Sequence, residues 1–395
     1  MPRDWFPWPA FVAAVLAVVA YDIAPQIGPN PHGFLFGDSG LYAAAADSLL
    51  RDGDLDLLNQ CFPGKATLAD ALPELEAKER AGEFGLTADG RLTIKQSPVL
   101  AAAAVPFYAA FGATGFLLFN VLVLVLLLTG TAALGGGTPA ARLVVLAGLV
   151  LTPLWRFGFN YSPDLFLCAL LVGSLLAARG RRPVLAGVLA GLAVSTKVYV
   201  VVLAAPVVLV AWTAADCKPT AVGKLVLGGL IGLAPGLLFN TWLFGAPWVT
   251  GYERQLAVAG GVVGLADHSS RFTVPLGAGL RALLLADDPA HPGFLRTCPI
   301  VLVFPVAAAW LLLRPTPGGR AWVTACVLLA AANLGLFAVY DGAMDGWRMA
   351  NRYLFPALIA GLAVTAAAVG QVGQAVGSLR PDRAVPDVQE EPAAV

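Results

Sequence analysis

Five charged residues stand beside long apolar stretches of this 395-residue chain, where their side chains could do chemistry. The acids are Asp38 and Asp164, and the bases are Lys95, Lys197 and Arg352. A carboxylate can accept a proton or stabilise a developing positive charge. Lysine and arginine side chains can bind an oxyanion. Because the chain scatters these residues widely, only its folding could gather them, and we expect one cavity beside the lipid headgroups.

The first acid lies in the segment Gly37-Asp38-Ser39-Gly40-Leu41-Tyr42, which is predicted to open a short amphipathic helix. Leu41, Ala45 and Leu49 recur at helical spacing, and Gly53 is suited to the helix end. Asp38 stands at the N-cap position, so the helix would fix a carboxylate at the membrane surface. The alternative is that Asp38 only caps the helix.

The composition places most of the chain in lipid. Apolar residues make up 58% and charged residues 13%, and the mean hydropathy is +0.75. Long continuous apolar runs indicate membrane-spanning helices, because barrel strands would alternate. The net charge of zero gives no case for nucleic acid as a partner. The five cysteines have no metal-ligand spacing and suggest no redox role.

Eleven apolar runs are separated by polar links, at 5–24, 99–111, 116–134, 143–159, 165–178, 184–194, 198–212, 225–244, 294–313, 321–340 and 353–369. The clearest basic links are 179–182, 218–224, 314–320 and the tail after Arg380, and an excess of Lys and Arg marks cytoplasmic loops. With these links inside, 184–212 crosses twice, and Lys197 and Tyr199 lie near its far side. The run 99–111 is too short to span and is interpreted as a juxtamembrane or re-entrant helix.

The sequence thus predicts an all-α polytopic membrane protein with about ten transmembrane helices. Residues 1–375 form one transmembrane domain, in which 98–112 hold the juxtamembrane or re-entrant helix. The external loops are a long first loop, 28–97, carrying juxtamembrane helices, and two later loops, 245–293 and 341–352. Residues 376–395 are predicted to be a disordered cytoplasmic tail.

Three of the charged residues have a simpler interpretation beside the chemical one. Lys197 could be a lysine that snorkels to the interface, although a buried one should face a cavity or an anion. Asp164 could cap the helix that begins at Leu165, since Ser162 and Pro163 precede it. Arg352 could anchor the last span at the interface.

The last external loop is denser in polar and aromatic residues than anchoring requires. Asp341, Asp345, Trp347, Arg348 and Asn351 cluster there, just before Arg352 and Tyr353. Such a loop could hold a sugar, with Trp347 stacking on its face.

Several motifs in order along the chain resemble the lipid-linked-sugar glycosyltransferases of the GT-C fold. They are Asp38 with Tyr42, Lys95 followed by Ser97-Pro98, the segment from Leu185-Ala186-Gly187 to Thr196-Lys197, Asn240 with Phe244-Gly245-Ala246-Pro247 and Gly251-Tyr252, and Arg352-Tyr353-Leu354-Phe355-Pro356. The most similar groups are the protein O-mannosyltransferase-like, aminoarabinose-transferase-like and rhizobial lipopolysaccharide sugar transferase-like enzymes. The resemblance implies a GT-C-like helical bundle.

The resemblance further implies a hexosyl- or pentosyltransferase that takes sugar from a polyprenyl phosphate on the external face and passes it to an acceptor there. By position, Asp38 and Asp164 match the catalytic acids, and Lys95, Lys197 and Arg352 match basic positions near the carrier phosphate. The expected substrate-binding residues are Tyr42, Tyr199, Asp341, Asp345, Trp347 and Tyr353. A bacterial inner membrane is implied, with the site on the external or periplasmic face.

Two departures from the family pattern bear on these expectations. The segment 160–164 keeps one acid, Asp164, where some members have two. A divalent cation held by Asp38 and Asp164 is still expected, but with one carboxylate ligand fewer than in those members. The chain also stops soon after its last span. The alternatives are a transporter or flippase for a lipid-linked or small polar solute, with polar residues midway along its helices, and a non-catalytic relative acting as a partner subunit.

Overall fold

The computed structural model describes residues 5–27, 38–77, 81–259, 262–266, 272–288, 291–314, 320–341 and 352–378. Helices make up most of this part of the chain. The α-helices are α1 (Trp8–Ile27), α2 (Asp38–Arg51), α3 (Leu58–Cys61), α4 (Leu68–Ala77), α5 (Val99–Phe111), α6 (Thr114–Leu134), α7 (Pro139–Leu151), α8 (Pro163–Arg179), α9 (Pro183–Thr196), α10 (Val200–Ala214), α11 (Pro219–Phe244), α12 (Leu276–Leu285), α13 (Phe294–Thr297), α14 (Val303–Leu313), α15 (Ala321–Ala338) and α16 (Phe355–Ser378).

Four segments of the described chain are long and apolar enough to cross a membrane: α6, α11, α15 and Arg352–Val376. Seven further apolar helices have 10–17 residues. With these helices the chain is a polytopic helical membrane protein, as the sequence predicts. The number of about ten crossings stays a prediction.

The stretch 184–212 forms two helices, α9 and α10, as the topology prediction requires. The chain leaves the helical conformation at Lys197, where φ is −148° and ψ is 117°, and α10 begins at Val200. The short run 99–111 forms α5, with Pro98 in the N-cap position and Gly112 in the C-cap position. The predicted helix at Asp38 is α2, which is followed by Gly53 with a φ of +71°.

Helices α9 and α11 approach each other more closely than side chains would allow. A Cβ atom at Gly228 would lie 2.1 Å from the carbonyl oxygen of Val184, and one at Gly232 would lie 2.1 Å from that of Val188. On α9, a Cβ at Gly187 would lie 2.0 Å from the carbonyl oxygen of Leu225. Small residues at helix contacts allow this close packing in membranes. The close packing of α9 on α11 therefore holds the end of α9 in place, next to Lys197.

Three short antiparallel hairpins interrupt the helical pattern. Their strands are β1 (Phe84–Leu86) with β2 (Leu92–Ile94), β3 (Leu256–Ala259) with β4 (Val262–Leu265), and β5 (Asp287–Asp288) with β6 (His291–Pro292). The first and second hairpins are joined, since the guanidinium of Arg254 donates to the carbonyl oxygens of Leu86 and Thr87. The long loop 28–97 thus packs on the loop 245–293.

The sequence analysis did not anticipate these hairpins or helix α12, which lies inside the predicted loop 245–293. Strands of two to four residues are too short for a periodic signal. The residues Gly37, Asp345, Trp347, Arg348 and Asn351, and most of the predicted tail, lie outside the described residues.

Candidate functional site

Asp38 is the first residue of α2, and its side chain is 32% exposed. Its Oδ2 atom accepts a hydrogen bond from Arg352 Nη2 at 2.8 Å, and its Oδ1 atom accepts one from Gln96 Nε2 at 3.2 Å. Both partners come from distant parts of the sequence. The structure therefore gives Asp38 ion-pair and hydrogen-bond partners outside its own helix.

Asp164 lies in the first turn of α8, one residue after Pro163. Its side chain is only 2% exposed, and it forms an ion pair of 2.7 Å with Lys197 and a longer contact of 3.5 Å with Arg352. The N-cap position belongs to Ser162 instead. Asp164 is thus a buried carboxylate between two cations, and not the cap of its helix.

Lys197 follows the last residue of α9, at the break before α10. Its side chain is 9% exposed, and its ammonium lies 5.8 Å from the Tyr199 ring centroid and 5.4 Å from that of Tyr353. An enclosed lysine of this kind does not snorkel. Its charge is balanced by Asp164 and by two aromatic faces.

Arg352 joins the two acids. Its Nη2 atom reaches Asp38 and its Nε atom faces Asp164, while its guanidinium carbon lies 5.6 Å from the Tyr353 ring centroid. The side chain is partly enclosed, and anchoring at an interface would not require either acid. Arg352 lies in the short turn that leads into α16, so this arginine connects the start of α16 with the start of α2.

A cavity of about 250 Å³, here called the Asp38 cavity, lies beside these charges. Aromatic side chains form much of its wall, and the Phe337 and Tyr353 rings stack with centroids 4.9 Å apart. Its lining residues are Asp38, Tyr42, Gln96, Pro163, Lys197, Val198, Tyr199, Thr250, Tyr252, Phe272, Leu336, Phe337, Tyr340, Arg352 and Tyr353. The cavity combines two cations, one carboxylate and aromatic faces.

A second cavity of about 270 Å³, here called the Lys95 cavity, adjoins the first. Its polar lining includes Lys95 and Asn240, and its apolar lining comes from α9 and α11 through Val194, Leu233 and Leu237. The two cavities share Gln96, Lys197, Val198, Thr250 and Tyr252. The expectation of a single cavity is therefore corrected to two cavities with a common wall.

Lys95 lies apart from Asp38 and Arg352, although it shares the Lys95 cavity with Lys197. Its ammonium donates to the carbonyl oxygen of Gly82, and it lines the Lys95 cavity and not the Asp38 cavity. The adjacent residues Lys95 and Gln96 thus have different partners. Gln96, the next residue, is the one that reaches Asp38.

Tyr42 lies on α2, one turn after Asp38, and its side chain is fully buried. Its hydroxyl has no hydrogen-bond partner among the described residues, although the residue lines the Asp38 cavity. Burial, reinforced by Tyr252 and the nearby carboxylates, raises the pKa of the Tyr42 hydroxyl well above its usual range. Tyr42 is therefore a neutral donor at the cavity.

The remaining predicted residues divide into two groups. Tyr199 and Tyr353 line the Asp38 cavity, as expected of substrate-binding residues. Asp341 is exposed and lines neither cavity, and Asp345 and Trp347 lie outside the described residues. Sequence analysis missed Gln96 and Thr250, for which no charge or motif gave a signal, and treated Tyr252 only as part of a motif.

The donor set gives a divalent cation a poor fit. No group of three or more His, Cys, Asp or Glu side chains that could hold a metal occurs among the described residues. Asp38 and Asp164 already bind Arg352, and Asp164 also binds Lys197. A metal between the two acids would therefore meet the guanidinium at close range. Metal binding by Asp38 and Asp164 stays a prediction from the sequence alone.

Comparison with solved structures identifies the fold. No protein-family model and no curated protein matches the chain. Among solved structures, ArnT from Cupriavidus metallidurans bound to undecaprenyl phosphate matches 93% of this chain with 16% identity and a TM-score of 0.55. The apo ArnT structure matches the same share with 15% identity and a TM-score of 0.56. The chain spans 62% of the ArnT length. The GT-C fold expected from the sequence is confirmed.

Proposed function

We propose that this protein is a membrane glycosyltransferase that moves a sugar from a polyprenyl phosphate to an acceptor on the external face of the membrane. The main support for the proposal is that Asp38, Lys197 and Arg352 line one cavity with aromatic walls. A carboxylate and two cations are what transfer from a phosphate carrier requires. The fold agrees, since an ArnT structure of the same fold was solved with undecaprenyl phosphate bound.

The proposed reaction is a single displacement that inverts the anomeric carbon. The acceptor hydroxyl forms a bond to the anomeric carbon while the bond from that carbon to the phosphate oxygen breaks. Asp38 takes the hydroxyl proton, and the phosphate leaves as an anion beside Lys197 and Arg352. Positive charge develops on the sugar in the transition state, and Asp38 also stabilises it.

Asp38 and Asp164 would have different roles. Asp38 lines the cavity and is one-third exposed, so a substrate hydroxyl can approach it. Asp164 is almost fully enclosed and already contacts both cations. We therefore assign proton transfer to Asp38, and to Asp164 the positioning of Lys197 and Arg352. The two cations take the part that a metal would otherwise play at the phosphate.

The two cavities suggest where each substrate binds. The Lys95 cavity reaches α9 and α11, whose outer residues are apolar and, at Leu237, well exposed. A prenyl chain would find such a surface in the membrane, with its phosphate near Lys197, which both cavities share. The sugar and the acceptor would then meet in the Asp38 cavity, against its tyrosine and phenylalanine rings.

The distribution of basic residues over the helix ends supports an external location of the site. The site lies at the start of α8, the end of α9 and the end of α15. The basic links lie at the other ends: α8 ends at Arg179, α11 begins after Lys218, and α15 begins after Arg320. Because basic loops stay in the cytoplasm, the site would face outward. A transporter would need its charges midway along helices, so this placement favours the transferase.

The first prediction concerns Asp38→Asn in the full chain. Membranes containing the variant should transfer labelled sugar from a polyprenyl-phosphate donor at least about 100-fold more slowly, because general-base catalysis contributes roughly 10²–10⁴-fold. Transfer is measured as label incorporated into acceptor, at matched protein amounts.

The control is Asp216→Asn, which removes an exposed carboxylate at the opposite end of the bundle and should leave transfer unchanged. Full transfer by folded Asp38→Asn protein would remove Asp38 as the base. Absence of transfer by the wild type with every polyprenyl-phosphate sugar tested would refute the enzyme itself.

A further inference from the structure

A third cavity lies at the end of the bundle opposite the candidate site. It measures about 190 Å³, and is here called the Arg179 cavity. Its polar lining residues are Thr138, Arg179, Trp322, Gln371 and Gln374, and small or apolar residues complete the wall. The lining residues come from the ends of α6 and α8, the start of α15 and the last turns of α16, and from the residue that caps α7. Helix α8 alone separates Asp164 from Arg179 by about 22 Å, at roughly 1.5 Å per residue.

The lining is electropositive. Among the described residues it contains one arginine and no acidic residue, and its other polar side chains there are a threonine, two glutamines and a tryptophan. Arg179 donates to the carbonyl oxygen of Leu134 at 2.7 Å, and its guanidinium lies 5.2 Å from the Trp322 ring centroid. Helices α7 and α15 both begin here, and helix N-termini attract anions.

One buried donor beside the Arg179 cavity has no acceptor among the residues that the structure describes. Trp322 is 1% exposed, and its indole N–H has no hydrogen-bond partner among the described residues. A buried donor without a partner is unfavourable, and native proteins rarely keep one without a reason. The Arg179 guanidinium lies over the ring of this same Trp322. The indole and the guanidinium together are suited to an oxyanion.

The outer face of α16 beside the cavity is apolar. Val369, Val372 and Val376 are exposed and recur at helical spacing next to Gly370, Gln371 and Gln374. A ligand with an anionic head and hydrocarbon chains would fit both features, with the head in the cavity and the chains along the valines. A basic pocket between membrane helices is a known type of lipid headgroup site.

We propose that the Arg179 cavity binds the phosphate of an anionic glycerophospholipid in the leaflet opposite the candidate active site. Arg179 balances the phosphate charge, and the Trp322 N–H donates a hydrogen bond to the lipid. The bound headgroup would tie together the ends of α6, α8, α15 and α16. The proposal does not depend on sugar transfer, and its test measures stability and lipid binding.

The test uses the purified, delipidated full chain in a neutral detergent. Phosphatidylglycerol should raise the unfolding temperature Tm by at least about 4 °C, as expected for a ligand far above its Kd. Phosphatidylcholine with the same acyl chains should raise Tm much less. Native mass spectrometry should show one retained phosphatidylglycerol per chain. Inorganic phosphate alone should give little of the increase, and an equal increase would overturn the lipid assignment.

The variants locate the site. Trp322→Phe removes the N–H together with part of a buried ring system, so its Tm without lipid should fall, and each variant is compared with and without phosphatidylglycerol. Trp322→Phe should lose at least half of the increase in Tm that phosphatidylglycerol gives to the wild type. Arg179→Gln should lose most of the increase in Tm that phosphatidylglycerol causes. Arg181→Gln, which removes an exposed arginine of the same link, should keep it. A full lipid increase in both Trp322→Phe and Arg179→Gln would overturn the proposal.

Discussion

Lys197 and Asp164 form an ion pair that is almost entirely enclosed, with Arg352 as a second cation beside the acid. In such surroundings each charge is stable only while its partner is present. A substrate phosphate would compete with Asp164 and Asp38 for the two cations. Under the proposed function, phosphate binding would loosen Arg352 from Asp38 and leave that carboxylate ready to accept a proton.

The second prediction is that Lys197→Met both destabilises the protein and abolishes the use of the donor. The buried Asp164 would lose its nearest cation, and breaking a buried pair costs about 3–5 kcal/mol. The unfolding temperature in detergent should therefore fall, and donor affinity should weaken at least about tenfold. Equilibrium binding of a fluorescent polyprenyl-phosphate sugar measures the affinity.

A double variant separates stability from binding. Lys197→Met with Asp164→Asn no longer buries an unpaired charge, so Tm should recover in part while donor affinity stays low. Lys224→Met, at an exposed position of the opposite end, should behave as the wild type. Normal donor affinity in a folded Lys197→Met protein would contradict the phosphate role of Lys197.

At the scale of elements, the position of Lys197 depends on how α9 packs. Helix α9 lies against α11 through glycines, and the hydroxyl of Ser195, two residues before Lys197, donates to the carbonyl oxygen of Gly232 at 3.0 Å. Backbone contacts of this kind leave no space for a methyl group. The helix pair thus fixes the end of α9, where the lysine enters the cavity.

The third prediction compares two neighbouring glycines of α11. Gly228→Val would place its Cβ 2.1 Å from the backbone of α9, so the helices must separate, whereas a Cβ at Gly229 meets nothing within 4 Å. Gly228→Val should lower the free energy of unfolding by about 3 kcal/mol or more, and Gly229→Val by less than about 1 kcal/mol. Unfolding temperature and sugar transfer are measured for both. Equal behaviour of the two variants would refute the close packing of α9 and α11.

At the scale of the whole molecule, the charges are divided between the two ends of the bundle. The acids and cations of the candidate site lie at one end, and the basic links lie at the other, where Arg181 and Asp216 connect two of them at 3.6 Å. The Arg179 cavity belongs to the basic end. The proposed orientation in the membrane rests on this uneven distribution of charges, and a labelling experiment can test it directly.

The fourth prediction uses Cys217, an exposed cysteine in the link between α10 and α11. If this link is cytoplasmic, a membrane-impermeant maleimide should not label Cys217 in cells with an intact inner membrane. Labelling should appear after permeabilisation. The extent of modification is read by mass spectrometry of the purified protein.

The matched control places a cysteine at the other end. Asp89→Cys in a Cys217→Ser background lies in the exposed turn between β1 and β2 and should be labelled in intact cells. Cys168, Cys298 and Cys326 are buried and should stay unlabelled, and the partly exposed Cys61 is replaced by serine in both proteins. Labelling of Cys217 and protection of the residue at position 89 would reverse the orientation and, with it, the external site.

The sequence by itself determined the membrane class, the break at Lys197 and the helix that begins at Asp38. It also predicted Asp38, Lys95, Asp164, Lys197 and Arg352 as members of one site. Hydropathy, helix-end preferences and the cost of charge in lipid act locally, so they are visible in a single chain. The ordered motifs added the fold, which the solved structures confirm.

Only the tertiary structure decided which side chains meet. Gln96 and not Lys95 reaches Asp38: Gln96 lines both cavities, whereas Lys95 lines only the Lys95 cavity and donates to the carbonyl oxygen of Gly82. Arg352 reaches Asp38 across 314 positions of sequence, which helix packing and no local pattern can bring about. The hydroxyl of Tyr42 and the indole N–H of Trp322 have no partner within the described part of the chain. Only the structure shows this, since the pairing of a buried polar group depends on contacts between distant segments.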